Sequence, residues 1–305
     1  MRNLVLGCMN FGRRTPAAEA ERMLAAAVDA GVTHFDTANV YADGESERIV
    51  GNALLGRVVT ITTKVGLARA GRGTEGLHPD TVRTACDQSL RRLRREQVDV
   101  YLLHAPDPRT PGEATLDAIA ALLRTGKIAA WGVSNFAAWQ VLELITLADR
   151  AGMPRPCVAQ QLYNVLVRQL EVEYFSFAQR YGIATTVYNP LAGGLLALAP
   201  TGTVPAGARF QKNPLYQRRY ATPPMVDAAD GLQAIAAEAE LSLLELAYAF
   251  VFHRPEVQAV VVGPATQAHL SAALTAARAA PPLAALAAVE AWSLARAGTD
   301  ARYAR

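Results

Sequence analysis

The chain has 305 residues, 51% of them hydrophobic, and a formal net charge of +3. That length suits a single domain over residues 1–305, and so small a charge excludes the positive field that recruits nucleic acid or an anionic membrane surface. Cys8, Cys86 and Cys157 have no metal-ligand spacing and form no even framework; with no secretory signal in the first residues, they read as free thiols of a cytoplasmic protein. No uninterrupted apolar run reaches the roughly 18 residues of a membrane span, so no membrane is expected.

Eight short apolar runs alternate with helical patterns. The first, "NLVLG" (3–7), is followed by a helical spacing of apolar residues over 17–31, stopped by Gly31. "THFDT" (33–37) and "VVTITTK" (58–64) come next, then a helix over 79–93 with Asp80 near its N-terminus. "VDVYLLH" (98–104), "AAWGVS" (129–134), "CVAQQLY" (157–163), "ATTVYN" (184–189) and "QAVVVG" (258–263) complete the set. Eight strands alternating with helices predict an α/β fold, a single (β/α)8 TIM barrel. The open doubly wound sheet is the alternative, but no G-x-G-x-x-G follows the first strand. The gap between strands 7 and 8 is much longer than the others, and 199–224 reads as a long functional loop.

Chemistry in such a barrel sits at the C-terminal ends of the strands. Those ends offer Asp36, Lys64, His104, Ser134, Asn135, Gln161, Tyr188 and Asn189. One polar residue at a strand end commonly does no more than cap the next helix. Here an aspartate, a lysine and a histidine converge, and Tyr41 lies on the loop just after Asp36. A phenol's ordinary pKa of about 10 is high for an acid near neutral pH; a neighbouring ammonium favours the phenolate and lowers it. Asp36 would hold Lys64 charged, His104 would hydrogen-bond a carbonyl, and Tyr41 would protonate its oxygen as hydride arrives at carbon. This chemistry requires no metal. Lys64 also stands out by composition, since Lys127 and Lys212 are the only other lysines.

The stretches "LGCMNFG", "DAGVTHFDTANVYADGESE", "TKVG", "SLRRLRREQVDVYLLHAPD", "GKIAAWGVSNF", "QQLYN" and "VYNPLAGGLL" follow one another in this order. Together they resemble the aldo/keto reductase family. The resemblance implies an NADPH cofactor, reversible carbonyl reduction, and a catalytic tetrad of Asp36, Tyr41, Lys64 and His104. It implies Ser134, Asn135 and Gln161 as ligands of the nicotinamide amide and Tyr188 stacked on its ring. Asn189, Pro190, Leu191, Gly193 and Gly194 would wrap the pyrophosphate with backbone N–H groups, and Arg209 would reach a phosphate. After strand 8, Gly263, Ala265, Thr266, Gln267 and His269 would face the adenosine end. His269 stands where the family has Gln or Arg, and Ala273 where it has Asn, so NADH is an alternative cofactor.

"MNFGRR" (9–14), "SNFAAW" (134–139), "YNVLVRQLEVEYF" (163–175), "RFQKNPLYQRRY" (209–220) and "RYAR" (302–305) are similar to the aflatoxin-aldehyde reductase branch, also active on succinic semialdehyde. That likeness implies a homodimer. It also implies that Tyr216, Arg219 and Arg305 bind an acidic group of the substrate, for which a guanidinium fork is well shaped. Met9, at the end of the first strand, would touch cofactor or substrate beside Tyr41 and His104. Two other readings stay open: a tailoring step on a sugar or secondary metabolite, and a nucleotide-sensing regulatory subunit resembling the potassium-channel β-subunits.

Overall fold

All eight apolar runs form strands. A computed structural model of the chain describes residues 4–67, 75–197 and 214–298. The strands are β1 (Leu4–Gly7), β2 (His34–Asp36), β3 (Thr60–Val65), β4 (Val98–Leu103), β5 (Ile128–Ser134), β6 (Val158–Leu162), β7 (Ala184–Tyr188) and β8 (Ala259–Val262). Each lies parallel to the next, and β8 returns to β1 with Val261 beside Val5, so the sheet closes into a barrel. The helices are α1 (Ala17–Asp29), α2 (Glu45–Ala53), α3 (Pro79–Leu93), α4 (Gly112–Arg124), α5 (Ala138–Arg150), α6 (Tyr174–Tyr181), α7 (Pro214–Tyr220), α8 (Pro223–Glu238), α9 (Leu243–Phe252), α10 (Gln267–Arg278) and α11 (Leu283–Ala297). The fold is the (β/α)8 barrel that the alternation predicts.

Side-chain alternation along each strand decides what reaches the barrel mouth. Thr63 of β3 and Tyr101 of β4 point outward and donate hydrogen bonds to Glu47 of α2 and to the Val82 carbonyl of α3. Lys64 therefore points inward, where it meets Asp36. His34 and Thr62 form the layer beneath, joined Nε2 to Oγ1 at 2.7 Å. Outside the barrel, Leu6, Phe35, Ile61 and Val187 are buried in one apolar cluster with Met23, Leu24, Val82 and Leu270 of the helices. Each such side chain contributes about 1.5–3 kcal/mol on burial, which fastens the helices round the sheet.

Helix α1 shows how local sequence makes this packing. Ala20, Met23, Leu24 and Ala27 recur at helical spacing, and all four are buried. The helix stops just before Gly31, whose φ of 89° is free of penalty only for glycine. In α3, Asp80 sits in the first turn as predicted, after Pro79. The segment read as a loop over 199–224 departs from prediction, because α7 starts at Pro214 and α8 at Pro223. Proline in a first turn loses no intrahelical donor and starts a helix as readily as it interrupts one. Among the described residues, no single helix is long and apolar enough to cross a membrane.

Asp107 fastens the loop after β4. Its carboxylate accepts from Leu77 N and Thr110 Oγ1, both at 2.9 Å, and from Arg109 N at 3.1 Å. Burial alone would raise its pKa, but these bonds outweigh it and bring the group from 3.8 down to about 2. A depressed carboxylate stabilises the fold above its unfolded pKa, and that stability is lost as pH falls from 3.8 through about 2. Asp107→Asn should flatten this acid limb. Urea midpoints at about pH 5 and about pH 3 check it, and an unchanged pH dependence in the variant would refute it.

Candidate active site

Asp36 closes β2, Lys64 lies near the end of β3, and His104 follows β4, so three neighbouring strands aim at one point. The Lys64 ammonium donates to Asp36 Oδ1, to the Thr37 carbonyl at 2.8 Å and to the Tyr41 hydroxyl at 3.4 Å. Lys64 and Asp36 are both buried. The ammonium lies 5.1 Å from the Tyr41 ring centre, and the His104 ring meets the same ring edge-on at 5.8 Å. Behind Tyr41 the backbone turns through Ala42 and Asp43 at φ 48° and 53°. Left-handed backbone costs such residues about 1–2 kcal/mol each, a strain the surroundings must hold.

Burial works against the charge on Lys64, but the Asp36 carboxylate outweighs it and the net direction of its pKa is up. Tyr41 differs from the sequence expectation. Burial raises its phenol pKa and outweighs the lowering by Lys64, and Asp36 opposes the phenolate further, so the net direction is up. Burial, and then the Lys64 charge, hold His104 well below 6.5, so its ring is neutral at pH 7. His104 Nδ1 is buried without a partner, where an N–H would go unsatisfied. The ring's one proton belongs on Nε2, the solvent-facing nitrogen, which can then donate.

Ser134 ends β5, and Asn135 follows it at φ 65°. Asn135 Nδ2 donates to the His104 carbonyl at 2.9 Å and to Ser134 Oγ at 3.0 Å, and the Tyr188 hydroxyl donates to Asn135 Oδ1 at 2.5 Å. These three share the mouth with Lys64 and Tyr41. Gln161 does not. It turns out of the barrel and donates to the Phe136 carbonyl at 2.6 Å. Gln160 takes the inward place and donates across the barrel to Asp36 Oδ2 at 2.8 Å. The sequence reading put this amide one residue late. Strand alternation allows only one of the pair to face in, and two identical side chains leave the pattern nothing to choose by.

Asn189, at φ 68°, donates through Nδ2 to the Tyr220 hydroxyl at 2.7 Å and accepts from Gly193 N at 2.6 Å. Pro190 and Leu191 lead into a 3-10 turn, Ala192–Ala197, with Gly193 and Gly194 at φ 70° and 106°. The turn consumes its own donors: Ala192 N bonds the Asn189 carbonyl, and Gly194 N bonds the Leu191 carbonyl. Of the expected cradle, the Gly193 and Gly194 N–H groups are thus engaged within the turn. What they leave is room, since a Cβ on Gly194 would meet nothing within 4 Å.

Tyr216 of α7 lies on Gly193, where an added Cβ would come within 2.3 Å of its ring. Burial pushes the Tyr188 phenol up to about 12, opposed by the Arg219 guanidinium, whereas Tyr216 adds to the rise in the Tyr41 pKa. Both therefore stand at the mouth. Met9 is half-buried just past β1. Arg209 and Arg305 lie outside the described residues.

The run after β8 is strapped to the loop after β1. Asn10 Nδ2 donates to the Gly263 and Pro264 carbonyls at 2.9 and 3.2 Å, and Thr15 Oγ1 donates to the Ala265 carbonyl at 2.9 Å. Nothing local in the sequence marks Asn10 or Thr15, because their partners lie some 250 residues away. Thr266 caps α10, accepting from His269 N at 3.3 Å, and Gln267 opens the helix exposed. Burial and then the Arg14 charge lower the His269 pKa, so His269 brings no cation at pH 7; Arg14 is the cation beside it. Ala273 is buried in the apolar stripe of α10.

The aldo/keto reductase family profile matches residues 3–287. The chain belongs to the aldo/keto reductase family. It is 42% identical over 194 residues to human aflatoxin B1 aldehyde reductase member 2, a match covering 63% of this chain and 54% of that protein. The chain therefore spans little more than half the length of that relative. It is 34% identical over 297 residues to human aldo-keto reductase family 7 member A3, covering 91% of this chain and 89% of that protein. A probable voltage-gated potassium channel subunit beta of Oryza sativa subsp. japonica is 34% identical over 266 residues, 84% of this chain and 80% of that protein.

In this aldo/keto reductase barrel the two glutamines invite direct comparison. Gln160→Leu removes a donor from a buried carboxylate, a loss of about 1.5–3 kcal/mol, and should lower coenzyme affinity or kcat by about tenfold or more. Gln161→Leu should leave both within about twofold and lower only stability. Fluorescence titration with NADP+ and steady-state kinetics separate them, and the opposite ranking would restore Gln161 to the site.

Proposed function

We propose that this chain is an NADPH-dependent reductase of aldehydes or ketones, with Tyr41 as general acid. The observation that carries the reading is the Lys64 ammonium, buried against Asp36 and within 3.4 Å of the Tyr41 hydroxyl. The side chains at the mouth fit a nicotinamide amide, which needs both donors and acceptors: Ser134, Asn135 and Gln160 carry both kinds. When bound, the dihydronicotinamide supplies a hydride to the carbonyl carbon. His104 Nε2–H donates to the carbonyl oxygen and orients it. Tyr41 gives its proton to that oxygen as negative charge gathers there. Lys64 offsets the phenolate left behind, and Asp36 keeps Lys64 charged throughout. Lys64 and Asp36 are buried, so their charges act with little screening.

Arg14 near the start of α10, with the Thr266 cap, supports the choice of NADPH over NADH. Arg209 is assigned to a phosphate on resemblance alone. Tyr216 and Arg219 at the mouth support an aldehyde that carries an acidic group, with Arg305 joining them on resemblance. The aldehyde in the human relative's name supports an aldehyde substrate as such. A single domain, a homodimer and a cytoplasmic setting complete the reading. The potassium channel subunit relative supports the second reading, a nucleotide-sensing subunit, whose mark is a stable protein partner with very slow turnover. The deciding experiment is a panel of aldehydes, ketones and quinones under NADPH and under NADH. Turnover of a carboxylated aldehyde with NADPH is expected, and no coenzyme oxidation with any member would sink the proposal.

A further inference from the structure

The loop bearing Tyr41 is held by groups that the proposed chemistry does not use. After Tyr41 come three successive left-handed residues, Ala42, Asp43 and Gly44, at φ 48°, 53° and 91°. Two of them carry a Cβ, so the turn persists only where its surroundings enforce it. The enforcing contacts start in the first turn of α2. Ser46 Oγ donates to the Cys8 carbonyl at 2.8 Å and meets Thr37 Oγ1 at 2.9 Å. Glu47 is fully buried; its carboxylate accepts from Thr63 Oγ1 at 2.5 Å and from Arg92 Nε at 2.6 Å. Thr63 lies on the outer face of β3, one residue before Lys64. Arg92, near the end of α3, also presses on Gly44, where an added Cβ would come within 2.8 Å of its Cδ and Nε.

Tyr41 and Lys64 thus sit on separate segments, and Glu47 and Arg92 join those segments at two places: Glu47 to β3, and Arg92 to the turn. An ion pair is suited to this task, because a buried charge that slips from its partner is strongly penalised, whereas apolar packing tolerates small shifts. We infer that the Glu47–Arg92 pair, with Glu47 fully buried and Arg92 partly so, is a positioning device for the Tyr41 phenol, holding the left-handed turn shut and setting its reach to the Lys64 ammonium. Neither residue touches the mouth. The activity arm of the inference rests on the reductase reading; the spectroscopic arm does not.

The test compares Arg92→Met, Arg92→Lys and Thr63→Val with the parent, each also in a Tyr41→Phe background. The readouts are kcat, KM for an aldehyde, NADP+ affinity, and the tyrosine 13Cζ NMR resonance that Tyr41→Phe deletes. Arg92→Met should lower kcat by about tenfold or more, as misplacement of a reacting group does, while KM and NADP+ affinity stay within about twofold. The Tyr41 resonance should shift and titrate at higher pH, because the ammonium has moved away. Arg92→Lys should recover part of both effects. In the Tyr41→Phe background the Arg92→Met loss should vanish, since the acid it positions is gone. A folded Arg92→Met with unchanged kcat and an unmoved resonance overturns the inference, and so do losses that multiply in the Tyr41→Phe background. If Arg92→Met does not fold, Thr63→Val decides: a shifted Tyr41 resonance supports the device, and an unmoved one overturns it. If the parent shows no Tyr41-dependent turnover, the reductase reading fails and the resonance alone decides the positioning.

Discussion

Tyr41→Phe is expected to yield a folded protein that binds NADP+ as the parent does and reduces its aldehyde about 10²–10⁴ times more slowly. The change removes one oxygen. The ring keeps its edge-on contact with His104 and its place beside the Lys64 ammonium, so neither packing nor the cationic site is disturbed. What is lost is the proton delivered to the nascent alkoxide. The pH dependence of the parent follows from the same groups. Tyr41 must be protonated to act, and its pKa lies above 10.0; His104 must be neutral, and its pKa lies well below 6.5. Reduction should therefore stay level between those two values and fall only in alkali, as the phenol loses its proton. Single-turnover rates across that range check both statements. A Tyr41→Phe variant retaining more than about a tenth of the parent rate would remove Tyr41 from the acid's role, since one positioned acid accounts for far more than that.

How far all this was legible in the sequence depends on the range of the interactions involved. Strand and helix periodicities are local, and they placed every strand and with it the cluster of Asp36, Lys64, His104 and Tyr41. The direction of the Tyr41 pKa was not legible. A neighbouring lysine is visible in sequence, but the burial that outweighs it depends on how the loop folds over the mouth. Gln160 and Gln161 could not be told apart because parity on a short strand needs a landmark, and identical neighbours provide none. Arg92 and Glu47 stand 45 residues apart, on helices whose contact only the closed barrel creates. Pro214 and Pro223 each open a helix within the segment read as a loop; a Pro-containing stretch signals a boundary without saying which side of it is ordered.

Lys64→Met, compared with and without Asp36→Asn, should separate stability from activity. Lys64 and Asp36 are buried at 0% and 3% side-chain exposure. Removing the ammonium strands the Asp36 carboxylate in the barrel with the Gln160 amide donor, and leaves the Thr37 carbonyl without its donor. Breaking a buried pair from one side typically costs about 3–5 kcal/mol, most of it the penalty of the charge left behind. Asp36→Asn on top of Lys64→Met removes that charge while keeping the shape, so the double variant should regain about half or more of the lost stability. Its activity should not return. The phenol then has no ammonium to favour its ionised form, and burial alone drives its pKa further up. Urea unfolding of the parent, both single variants and the double variant closes the thermodynamic cycle, with kcat measured on the same samples. A double variant as unstable as Lys64→Met would trace the loss to packing around the missing stem and not to the stranded carboxylate. A double variant that reduces aldehydes at the parent rate would show that Tyr41 needs no ammonium beside it, and the charge arrangement at the mouth would then have to serve coenzyme binding instead.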